Sequence, residues 1–276
     1  MKLHNTNKFI ASSDNTGKMP VLFLGHGNPM NAIEINEFTE GWSNSVKNLP
    51  HPAAVLCISA HWETGGTYVT AMDMPETIHD FGGFPEELYR VVYPAPGKPE
   101  LAHELQDLIT GTRIGLDEKW GLDHGCWSVI KHMYPKADVP VVQLSLDYFG
   151  DARYHYDLAK ELAPLRDKGI LIVGSGNIVH NLMRVAWNRL DEKFAYDWAT
   201  EANEKIKTCA LSGDHEPLIN YRSQGKAMEL AVPTPDHFLP LLYVLALKKE
   251  NERITIFNDK PVAGSLTMTC FKIDQA

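Results

Sequence analysis

The run Ala53-Ala54-Val55-Leu56-Cys57-Ile58-Ser59, closing on Ala60-His61-Trp62, decides the fold class: it is apolar, of strand length, and delivers a histidine at its end. A second such run, Val21-Leu22-Phe23-Leu24, leads into Gly25-His26-Gly27 in the same way. The carboxyl ends of strands in an open α/β sheet are where ligands bind, and imidazole is the commonest protein metal ligand. Glycine on either side of His26 lets the backbone turn sharply and bring another group close. A lone histidine is more often a packed or solvated residue. Two in equivalent positions on successive strands read as half of a metal site.

Working outward, apolar runs of strand length recur at 68–72, 139–146, 170–174, 254–257 and 265–273. Helical patterns lie between most of them, at 35–49, 98–110, 125–134, 152–168, 197–211 and 239–249. This alternation predicts an α/β fold with a central mixed, largely parallel sheet flanked by helices on both faces. At 276 residues the chain is long enough to bury a large core, and residues 20–276 are expected to form a single catalytic domain. Residues 1–19 read as a flexible polar arm, whose only apolar patch, Phe9-Ile10-Ala11, is too short for a signal-peptide core.

A net charge of -9 and the lack of any Lys/Arg stripe argue against a nucleic-acid partner. No apolar run approaches the roughly 18 residues of a membrane span, so a cytoplasmic protein without a membrane partner is expected, as a monomer or small homo-oligomer. The four cysteines, Cys57, Cys126, Cys209 and Cys270, show no C-x-x-C spacing, which disfavours a disulfide framework and a structural zinc cluster.

The stretch 74–97 breaks the strand–helix rhythm with Pro75, Pro85, Pro94, Pro96 and Gly82-Gly83, interleaved with His79, Phe81, Phe84, Tyr89 and Tyr93. It predicts an ordered loop with at most a short helix around 86–90. Two roles fit it: a cover over a sheet edge, or a wall for a flat ligand.

Among the twelve histidines, a third repeats the opening arrangement, because the buried-strand run at 170–173 is followed by Gly174-Ser175-Gly176-Asn177-Ile178-Val179-His180-Asn181. A fourth, His237, stands in Thr234-Pro235-Asp236-His237-Phe238-Leu239-Pro240, where Pro240 suits the first turn of a helix and leaves His237 in the approach loop. His124, in Trp120-Gly121-Leu122-Asp123-His124-Gly125-Cys126-Trp127, is a fifth candidate. Asp123 either caps the following helix or orients a histidine. His4, His51, His103, His155 and His215 read as surface residues, and His132 as part of a helix face. Ser175 lacks the G-x-S-x-G spacing of a nucleophile elbow, Gly174-Ser175-Gly176 falls short of a dinucleotide fingerprint, and no P-loop is present.

These blocks, with Ser59-Ala60-His61-Trp62, Thr77-Ile78-His79-Asp80-Phe81-Gly82-Gly83-Phe84-Pro85 and Tyr93-Pro94-Ala95-Pro96-Gly97, together resemble the class III extradiol ring-cleavage dioxygenases, and within them the 4,5-DOPA extradiol dioxygenase branch. The resemblance runs from about residue 20 to the C-terminus. It implies a non-haem iron(II) enzyme that opens a catechol-type ring, DOPA-like, beside its two hydroxyls with O2, giving a muconic-semialdehyde-type product. By position, His26, His61 and His237 look like metal ligands. His180 resembles the acid/base beside the metal, or an additional ligand, and His124 a second catalytic histidine. His79, Asp80, Phe81, Phe84, Tyr93 and Trp127 are the candidate substrate contacts; for Phe81, Phe84, Tyr93 and Trp127, simple packing is an equal alternative.

The usual iron oxygenase triad has two histidines and a carboxylate, whereas an all-histidine set also suits catalytic zinc. Fe(II) is expected for activity, with Zn(II) able to take the same site. Two other readings stand beside the dioxygenase: a zinc hydrolase on the same scaffold with Asp80 or Glu63 as base, and a metal-binding regulatory protein without turnover.

Overall fold

The structure, a computed structural model, describes residues 18–190 and 192–276. Most of the expected 1–19 arm, His4 included, lies outside the described residues. Its last two residues are held: Lys18 pairs with Glu252, and the Met19 backbone exchanges hydrogen bonds with Arg166.

Ten strands, β1 (Val21–Gly25), β2 (Ala54–Thr64), β3 (Thr67–Thr70), β4 (Ile114–Asp117), β5 (Val141–Asp147), β6 (Ile170–Gly176), β7 (Glu252–Phe257), β8 (Pro261–Val262), β9 (Leu266–Thr267) and β10 (Cys270–Gln275), are found among the described residues. The helices are α1 (Glu37–Val46), α2 (Glu86–Tyr89), α3 (Pro99–Leu108), α4 (His124–Met133), α5 (Ala152–Glu161), α6 (Ala163–Asp167), α7 (Asp197–Ser212), α8 (Glu216–Ile219), α9 (Lys226–Ala231) and α10 (Leu239–Ala246). Eight strands make one sheet in the order β4-β3-β5-β2-β6-β1-β10-β7, and β8 with β9 forms a separate antiparallel pair. The centre, β5-β2-β6-β1, is parallel throughout; β10 and β7 extend it antiparallel. At the other side β3 runs antiparallel to β5 and parallel to β4.

The central strands are apolar on both faces because both faces are covered. Val21, Phe23, Leu56, Ile58 and Ile172 point into a core shared with α3, α5, α7, α9 and α10, while Leu22, Leu24, Val55, Cys57 and Val173 face α1 and α4. The expected fold is therefore the observed one: a mixed, largely parallel sheet between two helical layers. None of the helices among the described residues is long and apolar enough to cross a membrane.

Three local departures follow from short-range chemistry. The predicted helix 152–168 divides at Leu162 into α5 and α6, with Pro164 in the first turn of the second, where its missing N–H costs nothing. The predicted strand 265–273 is cut into β9 and β10 at Met268-Thr269. Strand β4 carries no period of its own and forms by pairing with β3.

Candidate metal centre and its cavity

Because β1, β2 and β6 are parallel neighbours, their carboxyl ends open on one rim. His26 follows β1 there. Its backbone N–H donates to Gly176 O at 3.1 Å, and the next residue, Gly27, turns with φ +62°, a left-handed conformation that a Cβ would strain. His61 is not past the end of its strand, as expected, but inside the longer β2. The β2–β5 register jumps there from Ile58↔Leu144 to Glu63↔Leu146, so that the segment carrying His61 bulges out of the ladder toward the rim. His180 lies beyond β6, its N–H bonded to Ala231 O at 2.9 Å. His237 stands just before α10, and Pro240 is in that helix's first turn. The end of β6 and this loop press together: Asn177 N–H donates to His237 O at 3.0 Å, and a Cβ on Gly176 would collide with the same oxygen.

The rings of His26, His61 and His237 form a nearly equilateral triangle, with centroid separations of 5.0, 5.2 and 5.0 Å. The Nε2 atoms of His26 and His61 are 3.1 Å apart, and one nitrogen from each of the three rings falls within 4.8 Å of the others. The outer nitrogens are all engaged. Ser175 Oγ gives its one proton to Gly125 O at 2.5 Å and so accepts from His26 Nδ1 at 3.0 Å. His61 Nδ1 is 3.3 Å from Asp80 Oδ2, and His237 Nδ1 donates to Asp236 Oδ2. The hydrogen bonds at His26 and His237 fix the Nδ1–H tautomer and leave Nε2 with its lone pair, and the carboxylate beside His61 Nδ1 favours the same tautomer there.

Electrostatics disfavour a charge on two of these rings. Burial, reinforced by the neighbouring histidines, pushes His26 and His61 well below the ordinary imidazole value. Against burial, the His237 N–H holds Asp236 ionised, down to about 2. Imidazoles backed by one hydroxyl and two carboxylates are a donor set that a divalent transition metal takes.

Two further histidines close on this triangle. The His124 ring is 3.9 Å from His61's, and His180 stacks on His237 with centroids 3.6 Å apart and planes 7° off parallel. Burial and His237 push His180 down to about 2. Asp123 is the N-cap of α4, accepting from Cys126 N–H at 3.0 Å and from Ser59 and Gln143, so the capping alternative holds for it. The carboxylate that meets the histidines is Asp80, whose Oδ1 accepts the His124 backbone N–H at 2.8 Å. His124 Nδ1 lies 3.0 Å from that oxygen without the alignment of a hydrogen bond.

A cavity of about 500 Å³ opens on the five rings. Of the candidate substrate contacts, only Phe84 lines it. Asp80 sits behind His61 and His124, and Phe81 packs edge-on to His124. His79 donates to Val91 O. Tyr93 and Trp127 are core residues, 2 % and 0 % exposed, whose polar atoms donate to Tyr134 O and Ile78 O. They fasten the 74–97 loop onto α4 and do not reach the cavity, so their assignment as substrate contacts is corrected. Another part of the lining went unforeseen: Leu182, Val185, Trp187 and Leu190. So did the anchors Ser175 and Asp236, although an Asp directly before His237 was a visible signal.

Comparison with known proteins matches residues 20–262 to the family described as the catalytic LigB subunit of aromatic ring-opening dioxygenase. The chain is 48% identical to a 4,5-DOPA dioxygenase extradiol of Escherichia coli (strain K12), over 93% of this chain and 95% of that one. It is 37% identical to a 4,5-DOPA dioxygenase extradiol of Beta vulgaris, over 95% and 98%. The crystal structure of an uncharacterized protein from Escherichia coli K12 superposes with a TM-score of 0.80 at 44% identity, covering 93% of this chain and all of that one.

Proposed function

The chain belongs to the family of the catalytic LigB subunit of aromatic ring-opening dioxygenase, and on that premise we propose that it is an extradiol dioxygenase acting on a catechol-type, DOPA-like substrate with O2. The product is of the muconic-semialdehyde type. The observation that carries the reading is the triangle of His26, His61 and His237, each ring anchored through Nδ1 and free at Nε2.

These three residues would hold Fe(II) through Nε2, and the all-imidazole set also suits Zn(II). Iron(II), when bound, supplies the electron exchange between ring and dioxygen that zinc, fixed in one redox state, does not. Asp80 and Asp236 formally offset a divalent charge from behind the rings, so a catecholate would be drawn by direct coordination to the ion, which lies nearer to it than either carboxylate, and not by a net charge of the site.

The remaining residues handle protons and position. His180, facing the cavity, accepts a proton at its imidazole as the catechol hydroxyl ionises, the negative charge left on the ring favouring the imidazolium against the burial that otherwise keeps it neutral, and returns the proton later in the reaction. His124, held by Asp80, offers a hydrogen bond to substrate or dioxygen. Phe84 and Trp187 both line the cavity and would limit water at the reacting ring. Anaerobic loading with iron(II), followed by DOPA or catechol and O2, tests the reading. A yellow product with matching oxygen uptake is expected; zinc-dependent ester or amide cleavage without ring opening would overturn it.

A further inference from the structure

Part of the cavity lining beside the histidines is built from side chains that lie outside both apolar cores. Leu182, Trp187 and Leu190 belong to neither apolar core, and they are 49%, 65% and 38% exposed. They stand on a strap that is firmly tied: Asn181 N–H donates to Ser265 O at 3.2 Å, Ala186 N–H to Ala263 O at 3.0 Å, and Ala263 N–H to Glu192 O at 3.1 Å. Their exposure is thus a fixed property of the strap, and it is continuous with the histidine cavity, which the same three residues line. Among the described residues, the histidines are the only titratable side chains on that lining. Large apolar groups held in water beside a reaction site mark a surface that a ligand covers.

We propose that Leu182, Trp187 and Leu190 form a subsite for the apolar, preferably flat part of a substituent on the catechol ring. The inference rests on the dioxygenase reading for its catechol, and it adds the class of substituent and the residues that select it. An aryl group extending from the ring would run along the strap and lie against the Trp187 indole, exchanging water-exposed surface on both partners for contact.

The experiment compares 4-phenylcatechol with catechol on the full chain. Anaerobic calorimetry, with and without iron(II), reads binding, and oxygen uptake on the iron-loaded enzyme reads KM. We expect 4-phenylcatechol to bind about tenfold more tightly or better, with KM falling in step. Trp187→Ala should bring the two ligands together, Trp187→Phe should keep most of the gap, and Met183→Ala, at a 92%-exposed position outside the cavity lining, should leave it intact. Equal binding of the two ligands, undetectable binding of both included, or a gap that survives Trp187→Ala, overturns the subsite. A binding gap without cleavage of either catechol keeps the subsite and refutes the dioxygenase reading instead; cleavage of both with equal KM and affinity does the reverse.

Discussion

Asp80 Oδ2 lies 3.3 Å from His61 Nδ1, while the other oxygen of the same carboxylate accepts the backbone N–H of His124 at 2.8 Å. One loop side chain therefore orients a candidate metal ligand and fixes the start of the helix that carries a candidate catalytic histidine. In Asp80→Asn the amide keeps one acceptor. If that oxygen stays with His124 N–H, the amide N–H2 faces the His61 Nδ1–H, donor against donor. We expect metal affinity to fall about 10- to 100-fold, read by chelator competition, with the fold retained.

His180 is placed differently, stacked on His237 at 3.6 Å and lining the cavity, with the Asp236 carboxylate within 4.8 Å but not hydrogen-bonded to it. Its assigned work is proton transfer, which is worth about 100- to 10,000-fold in rate. In His180→Ala we expect turnover to fall within that range while the bound metal stays at wild-type stoichiometry. Full ring-cleaving turnover in a metal-loaded variant would remove His180 from the reaction.

The rim histidines were legible because two signals coincide at His26 and His180: residue type and the end of a strand whose apolar run is unmistakable. Strand order was not needed, since parallel strands share one rim whatever their sequence. His61 was legible as a residue but not in its setting, because the bulge that presents it exists only in the mismatch between β2 and β5. Tyr93 and Trp127 misled, since an aromatic near the site looks alike in sequence whether it walls a ligand or pins a loop to a helix. The strap had no signal at all. Which of its apolar side chains face the cavity is set by distant backbone bonds, Asn181 to Ser265 and Ala186 to Ala263.

Close approach at the end of β6 gives a steric prediction. A methyl group on Gly176 meets the carbonyl of His237, whose oxygen also accepts from Asn177 N–H. Neither strand nor loop yields easily, so Gly176→Ala should cost about 1–3 kcal/mol in urea unfolding and also weaken metal binding by moving His237. Gly82→Ala is the contrast. A Cβ there meets nothing within 4 Å, and stability should stay within about 0.5 kcal/mol of wild type.

Acid sensitivity should come from a pair remote from the metal centre. Arg166 and Glu252 are each about 1% exposed and joined at 2.6 and 3.0 Å, with Lys18 Nζ at 2.7 Å and the Lys249 N–H at 2.9 Å completing the carboxylate's partners. Burial alone would raise the Glu252 pKa; the bonds from Arg166 and Lys18 overcome it and hold the group down to about 2, against an ordinary 4.5. A depressed carboxylate adds stability in full above its unfolded pKa and loses it as pH falls toward the folded one. The contribution should therefore vanish between about pH 4.5 and pH 2, seen as a falling urea midpoint. Glu252→Gln should flatten that part of the profile. At neutral pH it should also cost about 3 kcal/mol, because Arg166 is left as a buried cation without a counter-charge, solvated only by one amide oxygen and the carbonyls of Met19 and Leu247. A variant with wild-type neutral stability and an unchanged acid profile would show that the pair does not hold the N-terminal edge of the domain to the sheet.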